Sequence, residues 1–212
     1  MGINLGSGFG NLTGNSNSTS QTGGILNLNK NDILDLTKRE PGLTKVTLGA
    51  GWDVAATGQD FDLDISAFLL NENGKIEASS VMQQVVFFNN MAVPGVQLMG
   101  DNRTGIGEGD DEQIVIDLTQ ISPNISKVVF FVTIHEAFQR RQTFGMIENS
   151  YVRLTNPLKN NQEICKFELR ENGSTGTAVI FAELYRNGSE WQFKAIGDVR
   201  TADLNGLLSL YM

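Results

Sequence analysis

Three carboxylates, Asp60, Asp62 and Asp64, stand at alternate positions in the stretch GQDFDLDISAFLL, residues 58–70. Between and beyond them run Phe61, Leu63, Ile65, Ala67 and Leu69. Side chains alternate across a strand, so this spacing predicts one strand with an apolar face and a face that opens on a row of negative charge. A second stretch, GDNRTGIGEGDDE (100–112), offers Asp101, Asn102, Glu108, Asp110, Asp111 and Glu112 as oxygen donors. Gly100, Gly105, Gly107 and Gly109 stand among them and let the backbone fold tightly, turning carbonyls such as that of Gly107 inward. Like charges aligned on one strand repel each other and need a cation. Carboxylates and carbonyls on a bendable loop suit calcium, which takes about 6–8 oxygens at about 2.3–2.6 Å. Softer metals want His or Cys, and the chain has one of each. Magnesium is the weaker competitor, because it keeps its waters.

Distance sets the stoichiometry. Alternate strand residues are ~6.7 Å apart, which separates Asp60 from Asp64 by ~13 Å at the backbone. One ion does not span that row, so the expectation is two adjacent calcium ions that share Asp62, with the loop folded over the strand. Asp60-x-Asp62-x-Asp64 opens like an EF-hand loop, but Ile65 stands where that loop requires glycine. The competing reading is plain solvated acidic surface.

The rest of the chain must position these groups. Net charge is −8, and the two acidic stretches hold nearly all of it. That balance argues against a nucleic-acid partner. With 40% apolar and 19% charged residues the composition is globular. The single Cys165 excludes an internal disulfide or a Cys-rich zinc site. No basic-then-apolar leader opens the sequence, and no apolar run approaches the ~18 residues of a membrane span. Gly6 breaks a myristoylation-like start, and the scattered Asn-x-Ser/Thr triplets fit an Asn-rich composition. A cytoplasmic protein without a transmembrane segment is expected.

Residues 1–23 are Gly, Asn, Ser and Thr with few apolar anchors, and predict a flexible tail before one domain over 24–212. From Ile25 onward, short apolar runs recur at roughly 8–12-residue spacing between turn residues. ILNLN, DILDLT, GLTKVTLGAG, SSVMQQVVFFNN, EQIVIDL, SKVVFFVTI, NSYVRLT, EICKFEL, TAVIFAELYRN and EWQFKAIG are the candidate strands. Asn71–Gly74 and Arg186–Ser189 carry hairpin-type turn signals. Helical periodicity is confined to DLTQISPNIS, EAFQRRQTFGMIEN and DLNGLLSLY. The prediction is a mainly all-β protein, an antiparallel β-sandwich with a few short helices.

The sequence resembles the TerD family of bacterial tellurium-resistance and general stress proteins. The likeness is carried by Gly51-Trp52-Asp53, by Gly58-x-Asp60-Phe61-Asp62-Leu63-Asp64, and by Ala67-Phe68-Leu69-Leu70. Gly100-Asp101-Asn102-Arg103-Thr104-Gly105 and Gly109-Asp110-Asp111-Glu112 form its second signature. VTIHEA (132–137), FGMIENSYVRL (144–154) and FAELYRNGSEWQFKAIG (181–197) continue it, and LTKREPGLTKVTLGAGWD (36–53) opens it. The resemblance implies a calcium-binding β-sandwich and adds Asp53 to the candidate ligands. It also implies a non-catalytic stress role, with partners among other stress or tellurium-resistance proteins near membrane-associated complexes. Two departures bear on the second ion: Ile106 stands where relatives often carry an acid, and SSVMQQ lacks acids common there.

Other chemistries find less support. His135-Glu136 is half of a metalloprotease motif, and no second His exists. His135, at the end of an apolar strand, is expected as a hydrogen-bonded structural residue. No Gly-x-Ser-x-Gly elbow accompanies a serine triad, and GIGEG lacks the spacing and βαβ setting of a dinucleotide fingerprint. Arg140-Arg141 fits solvated surface, and Trp52, Trp191 and the many Phe residues fit core. Three functions are weighed: a calcium-dependent stress or scaffold protein, a ligand module for a cyclic nucleotide, and a metal-dependent hydrolase. The first is expected, and the last is weakest because nothing supplies a general base or phosphate clamp.

Overall fold

A computed structural model describes residues 25–53, 61–100, 109–168 and 175–212. The elements run β1 (Leu26–Asn27), β2 (Ile33–Asp35), α1 (Leu36–Arg39), β3 (Lys45–Asp53) and β4 (Leu63–Leu70). Then come α2 (Val81–Gln84), β5 (Val85–Val86), β6 (Ala92–Val93), β7 (Val96–Leu98), β8 (Glu112–Asp117) and β9 (Lys127–Ile134). The chain closes with α3 (Ala137–Arg140), β10 (Glu148–Asn156), β11 (Gln162–Glu168), β12 (Ala178–Asn187), β13 (Glu190–Arg200) and α4 (Leu204–Ser209). Two sheets result. Sheet A has the order β1-β11-β10-β3-β8-β7-β6, and sheet B the order β2-β13-β12-β9-β4-β5. The predicted antiparallel sandwich is what the strands build, with one exception: β1 pairs with β11 in parallel.

Alternation explains the core between the sheets. Val46, Leu48, Ala50 and Trp52 of β3 face Phe61, Leu63, Ile65, Ala67 and Leu69 at and beside β4, in one buried cluster. A two-residue loop joins β12 to β13, and its Gly188 takes φ +65°, the backbone that a tight hairpin needs. Against β9, a register shift between Ile180 and Ala182 leaves Phe181 as an extra residue, and it too enters this core.

A second apolar layer covers the other face of sheet B. Phe68, Leu70, Val129, Phe131, Ala178 and Ile180 pack there with Leu207 of α4, and Leu204, Leu208 and Tyr211 join from the C-terminal segment. Phe68 and Phe131 meet at 4.4 Å between ring centroids, with the Tyr211 ring edge-on to both. That segment is tied down: the Asp203 carboxylate accepts from Gly206 N at 2.8 Å as a helix cap, and Ile76 N donates to Tyr211 O at 2.7 Å.

Several expectations need correction. SSVMQQ does not begin a strand: a 3-10 turn (Ala78–Ser80) and α2 precede a two-residue β5. The reason is Gln84, whose side chain donates to Leu69 O and accepts from Glu77 N, satisfying the β4 edge without a partner strand. The turn at Asn71–Gly74 forms, with Gly74 at φ +72°, but it leads into this insert rather than straight into a hairpin. DLTQISPNIS forms turns without a helix, because the Asp117 side chain accepts from Thr119 N and closes a side-chain turn instead. Phe88 and Phe138 are exposed rather than core. The tail over 1–23 lies outside the described residues.

Candidate metal centre

Of the eleven candidate donors, Asp60, Asp101, Asn102, Gly107 and Glu108 lie outside the described residues. The other six are Asp53, Asp62, Asp64, Asp110, Asp111 and Glu112. Asp62 enters β4 and Asp64 is its second residue. They are not on a solvated face: Asp62 is 7% exposed and Asp64 9%. The face that begins as an acidic row continues as Ser66, Phe68 and Leu70, under the second apolar layer.

β4 has an edge at this end, since β5 pairs only with Ala67 and Phe68. Glu112, the first residue of β8, crosses from sheet A to meet it. Its Oε2 accepts from Ile65 N at 2.6 Å, and the residue is 2% exposed. Trp52 binds the same corner, its Nε1 donating to Phe61 O at 3.3 Å. Asp111 extends the β3–β8 ladder: its N donates to Ala50 O at 2.8 Å and its Oδ2 accepts from Trp52 N at 3.0 Å. His135, expected to be hydrogen-bonded, is so. Its N donates to Asp62 O at 2.8 Å, and its Nδ1 lies 3.3 Å from Asp64 Oδ2.

Glu112 is thus brought to the β4 backbone beside Asp64, while Asp111 stays against β3 at Trp52 N. Asp62 and Asp64 lie on the β4 face that turns to the outer side of sheet B. The other candidate donors belong to 54–60 and 101–108, which adjoin these residues in sequence. Asp53 and Asp110 go elsewhere. Asp53, exposed at the end of β3, accepts from Asn149 Nδ2 at 2.7 Å. Asp110 turns onto the outer face of sheet A, where Arg153 Nε donates to its Oδ1 at 2.7 Å. Tyr151 OH (3.3 Å) and Gln113 Nε2 (3.2 Å) complete the contact.

Glycine makes that seat. A Cβ on Gly49 would overlap the Asp110 carboxylate, and one on Gly51 would stand 2.6 Å from the Tyr151 ring. Burial, reinforced by the Asp110 charge, pushes the Tyr151 phenol up to about 12. Burial lowers the Arg153 pKa, but the bond and charge of Asp110 more than offset it, and the guanidinium ends above its usual range. Asp110 thus has a fixed counter-charge inside the fold. The spacing of GDDE alone did not reveal this; a Gly-x-Gly strand opposite Tyr-x-Arg was the legible signal.

Among the described residues, no group of three or more His, Cys, Asp and Glu side chains is placed to hold a metal. The described candidate donors are carboxylates, which are hard oxygen ligands, and five further candidates adjoin them in sequence. No helix among the described residues is long and apolar enough to cross a membrane.

The two-sheet sandwich defines a class of small β-rich protein whose fold known relatives share. The TerD domain model matches residues 25–211, and the chain belongs to the TerD family. It is 42% identical over 189 residues to "Tellurium resistance protein TerD" of Serratia marcescens, covering 88% of this chain and 96% of the relative. It is 43% identical over 176 residues to "General stress protein 16U" of Bacillus subtilis, covering 81% and 89%. Among solved structures it is similar to a homologue of telluride resistance protein (TerD), SCO6318 of Streptomyces coelicolor, with a TM-score of 0.59 at 24% identity. That alignment covers 77% of this chain and 94% of the other, and speaks to the fold alone. None of these names an enzymatic reaction.

Proposed function

We propose that this protein is a cytoplasmic, non-catalytic, calcium-binding stress protein of the tellurium-resistance type. Two adjacent calcium ions share Asp62 and order the acidic loop against β4, forming a surface for other stress or tellurium-resistance proteins. The observation that carries this reading is the burial of three carboxylates tied to one strand: Asp62 and Asp64 at the start of β4, and Glu112, whose carboxylate reaches Ile65 N of that strand. Hiding carboxylates costs several kcal/mol each unless a cation or strong hydrogen bonds compensate them. An all-oxygen set fits calcium, with Asp62, Asp64, Asp111 and Glu112 held by the fold and Asp60, Asp101, Asn102, Gly107 and Glu108 supplied by the adjoining segments. Asp110 keeps its place on Arg153 and anchors the loop's end. The bound ion supplies charge neutralisation and cross-linking of two sheets. The names of the relatives support the stress role.

Calorimetric titration of chelator-stripped protein tests the reading, with two calcium ions bound as the expected result. A ligand specific to the folded state stabilises it by about 2.7 kcal/mol at a hundredfold excess over its Kd, so Tm should rise with calcium. Asp62→Asn should remove most of that rise, while Asp35→Asn leaves it intact. No bound calcium at millimolar free ion overturns the proposal, and an unchanged rise in Asp62→Asn overturns the shared ligand.

A further inference from the structure

The outer face of sheet B holds a cavity of about 320 Å³ beside the corner, where the second apolar layer ends. Its floor is Asp64 and Ser66 of β4 with Thr133 of β9, which stands directly across from Asp64. Phe87 and Phe88 form one wall, and Asp203 and Leu204 at the start of α4 form the other. His135 and Glu136 line it as well, and the Phe88 ring lies edge-on to His135 at 5.8 Å. The volume is at the small end of ligand sites.

Two independent observations point to an occupant. Ser66 is 1% exposed, lines the cavity, and its Oγ has no hydrogen-bond partner among the described residues. A buried hydroxyl is normally paired, so this one stands ready for a donor from a ligand. The second observation is charge. Among the described residues the lining carries three carboxylates, Asp64, Glu136 and Asp203, and no lysine or arginine. Glu136 pairs with Arg140 at 3.7 Å outside the lining, and Asp64 lies 3.3 Å from His135 Nδ1. Such a lining repels phosphates and carboxylates and attracts cations. It therefore speaks against a nucleotide here. The Phe87, Phe88 and Leu204 walls suit a short apolar stem between polar ends.

We infer that this cavity binds a small aliphatic diamine or polyamine. One ammonium donates to the Ser66 and Asp64 floor, the methylene stem lies along the phenylalanines, and the second ammonium faces Asp203. The same primary-ammonium chemistry exists on a lysine side chain, but walls on two sides of a small floor favour the free amine. Asp64 is also one of the proposed calcium ligands, so calcium and the amine compete for it, and the test is run in chelator.

Amide NMR of the full chain, titrated with putrescine, reads the floor directly. Saturable shifts at Ser66, Thr133 and His135 are expected, with none from 1,4-butanediol, which has the same length without charge. Asp203→Asn keeps a competent helix cap while removing one carboxylate, and Ser66→Ala removes the unpartnered hydroxyl. Each should weaken putrescine about five-fold, the effect of one lost polar or charged contact, with Tm measured to show that the variant is folded. Absence of a saturable shift, an equal response to butanediol, or unchanged affinity in both folded variants overturns the inference. Tighter binding of a lysine tetrapeptide than of putrescine would assign the cavity to a protein side chain and overturn the free-amine reading. A loss of calcium stoichiometry in Asp203→Asn with putrescine affinity intact would make the cavity a metal site and overturn it too.

Discussion

The outer faces of the two sheets solve the same problem in opposite ways. On sheet A a polar network lies across glycines: Asp110 over Gly49, with Arg153, Tyr151 and Gln113 around it, Glu163 Oε2 3.3 Å from Arg153, and Lys166 4.3 Å above the Tyr151 ring. On sheet B an apolar layer is roofed by α4 and gives way to Asp62 and Asp64 at one end. Each face hides acid. Sheet A brings its own cation on a neighbouring strand, because Arg153 stands opposite Gly49 in the register. At the corner, Glu112 meets a backbone N–H and Asp64 a histidine. A hidden carboxylate thus points to an imported ion only after the residue across the register has been identified.

The sharpest way to break this comparison is to remove the roof. Leu207 is fully buried beneath α4. Leu207→Ala should destabilise the fold by about 3 kcal/mol, the usual range for a buried leucine, and lower Tm by roughly 6–12 °C. Urea denaturation checks it. A loss below about 1 kcal/mol would mean that the C-terminal segment is a loosely docked tail and that sheet B has one apolar face, not two.

That second face also marks where the sequence stopped being legible. Alternation in FDLDISAFLL identified the inner row of β4, and the same alternation gave the strand that carries the acids. It did not show that Ser66, Phe68 and Leu70 face a second layer, because a strand buried on both sides looks half-polar when its buried acids are counted as solvated. The partner that settles the matter, DLNGLLSLY, is more than a hundred residues away and was legible only as a helix. The hairpin at Gly188 could be read outright, since its backbone demand is local. SSVMQQ could not, because Gln84 acts on Leu69 and Glu77 through its side chain. The candidate donors were legible as a set. Their division between corner and sheet A was not, because it depends on Arg153, some forty residues downstream of Asp110.

The smaller test on sheet A sharpens that division. The Asp110 side chain is 2% exposed while Arg153 is about one-third exposed. Arg153→Met should cost about 2 kcal/mol, below the full penalty for a buried pair because water reaches the guanidinium. Adding Asp110→Asn should recover part of the loss, since the two groups are coupled. The calcium-dependent rise in Tm should survive both changes. If Arg153→Met instead abolished that rise, Asp110 and its partner would belong to the metal centre, and the two faces would not be separate solutions.

The smallest effect is a pH signature of the apolar roof. Burial beside Phe68 and Phe131, with Glu183 adding repulsion, raises the Tyr211 phenol above its ordinary value of 10.0. In the unfolded chain that group ionises at its ordinary value, so its contribution to stability is complete below about pH 10 and is lost as pH rises through the folded value. Alkaline denaturation should therefore begin above pH 10, and Tyr211→Phe should make the stability curve flatter there while leaving it unchanged in shape near neutrality. Tyr151, also raised, sits on the other face. The two can be told apart because Tyr151→Phe also removes a hydrogen bond to Asp110 and to Gly109 O, and so should lower stability near neutrality as well. Urea midpoints measured from pH 7 to 11 for both variants give the comparison. Identical profiles would show that the roof over sheet B is as wet as the polar face of sheet A.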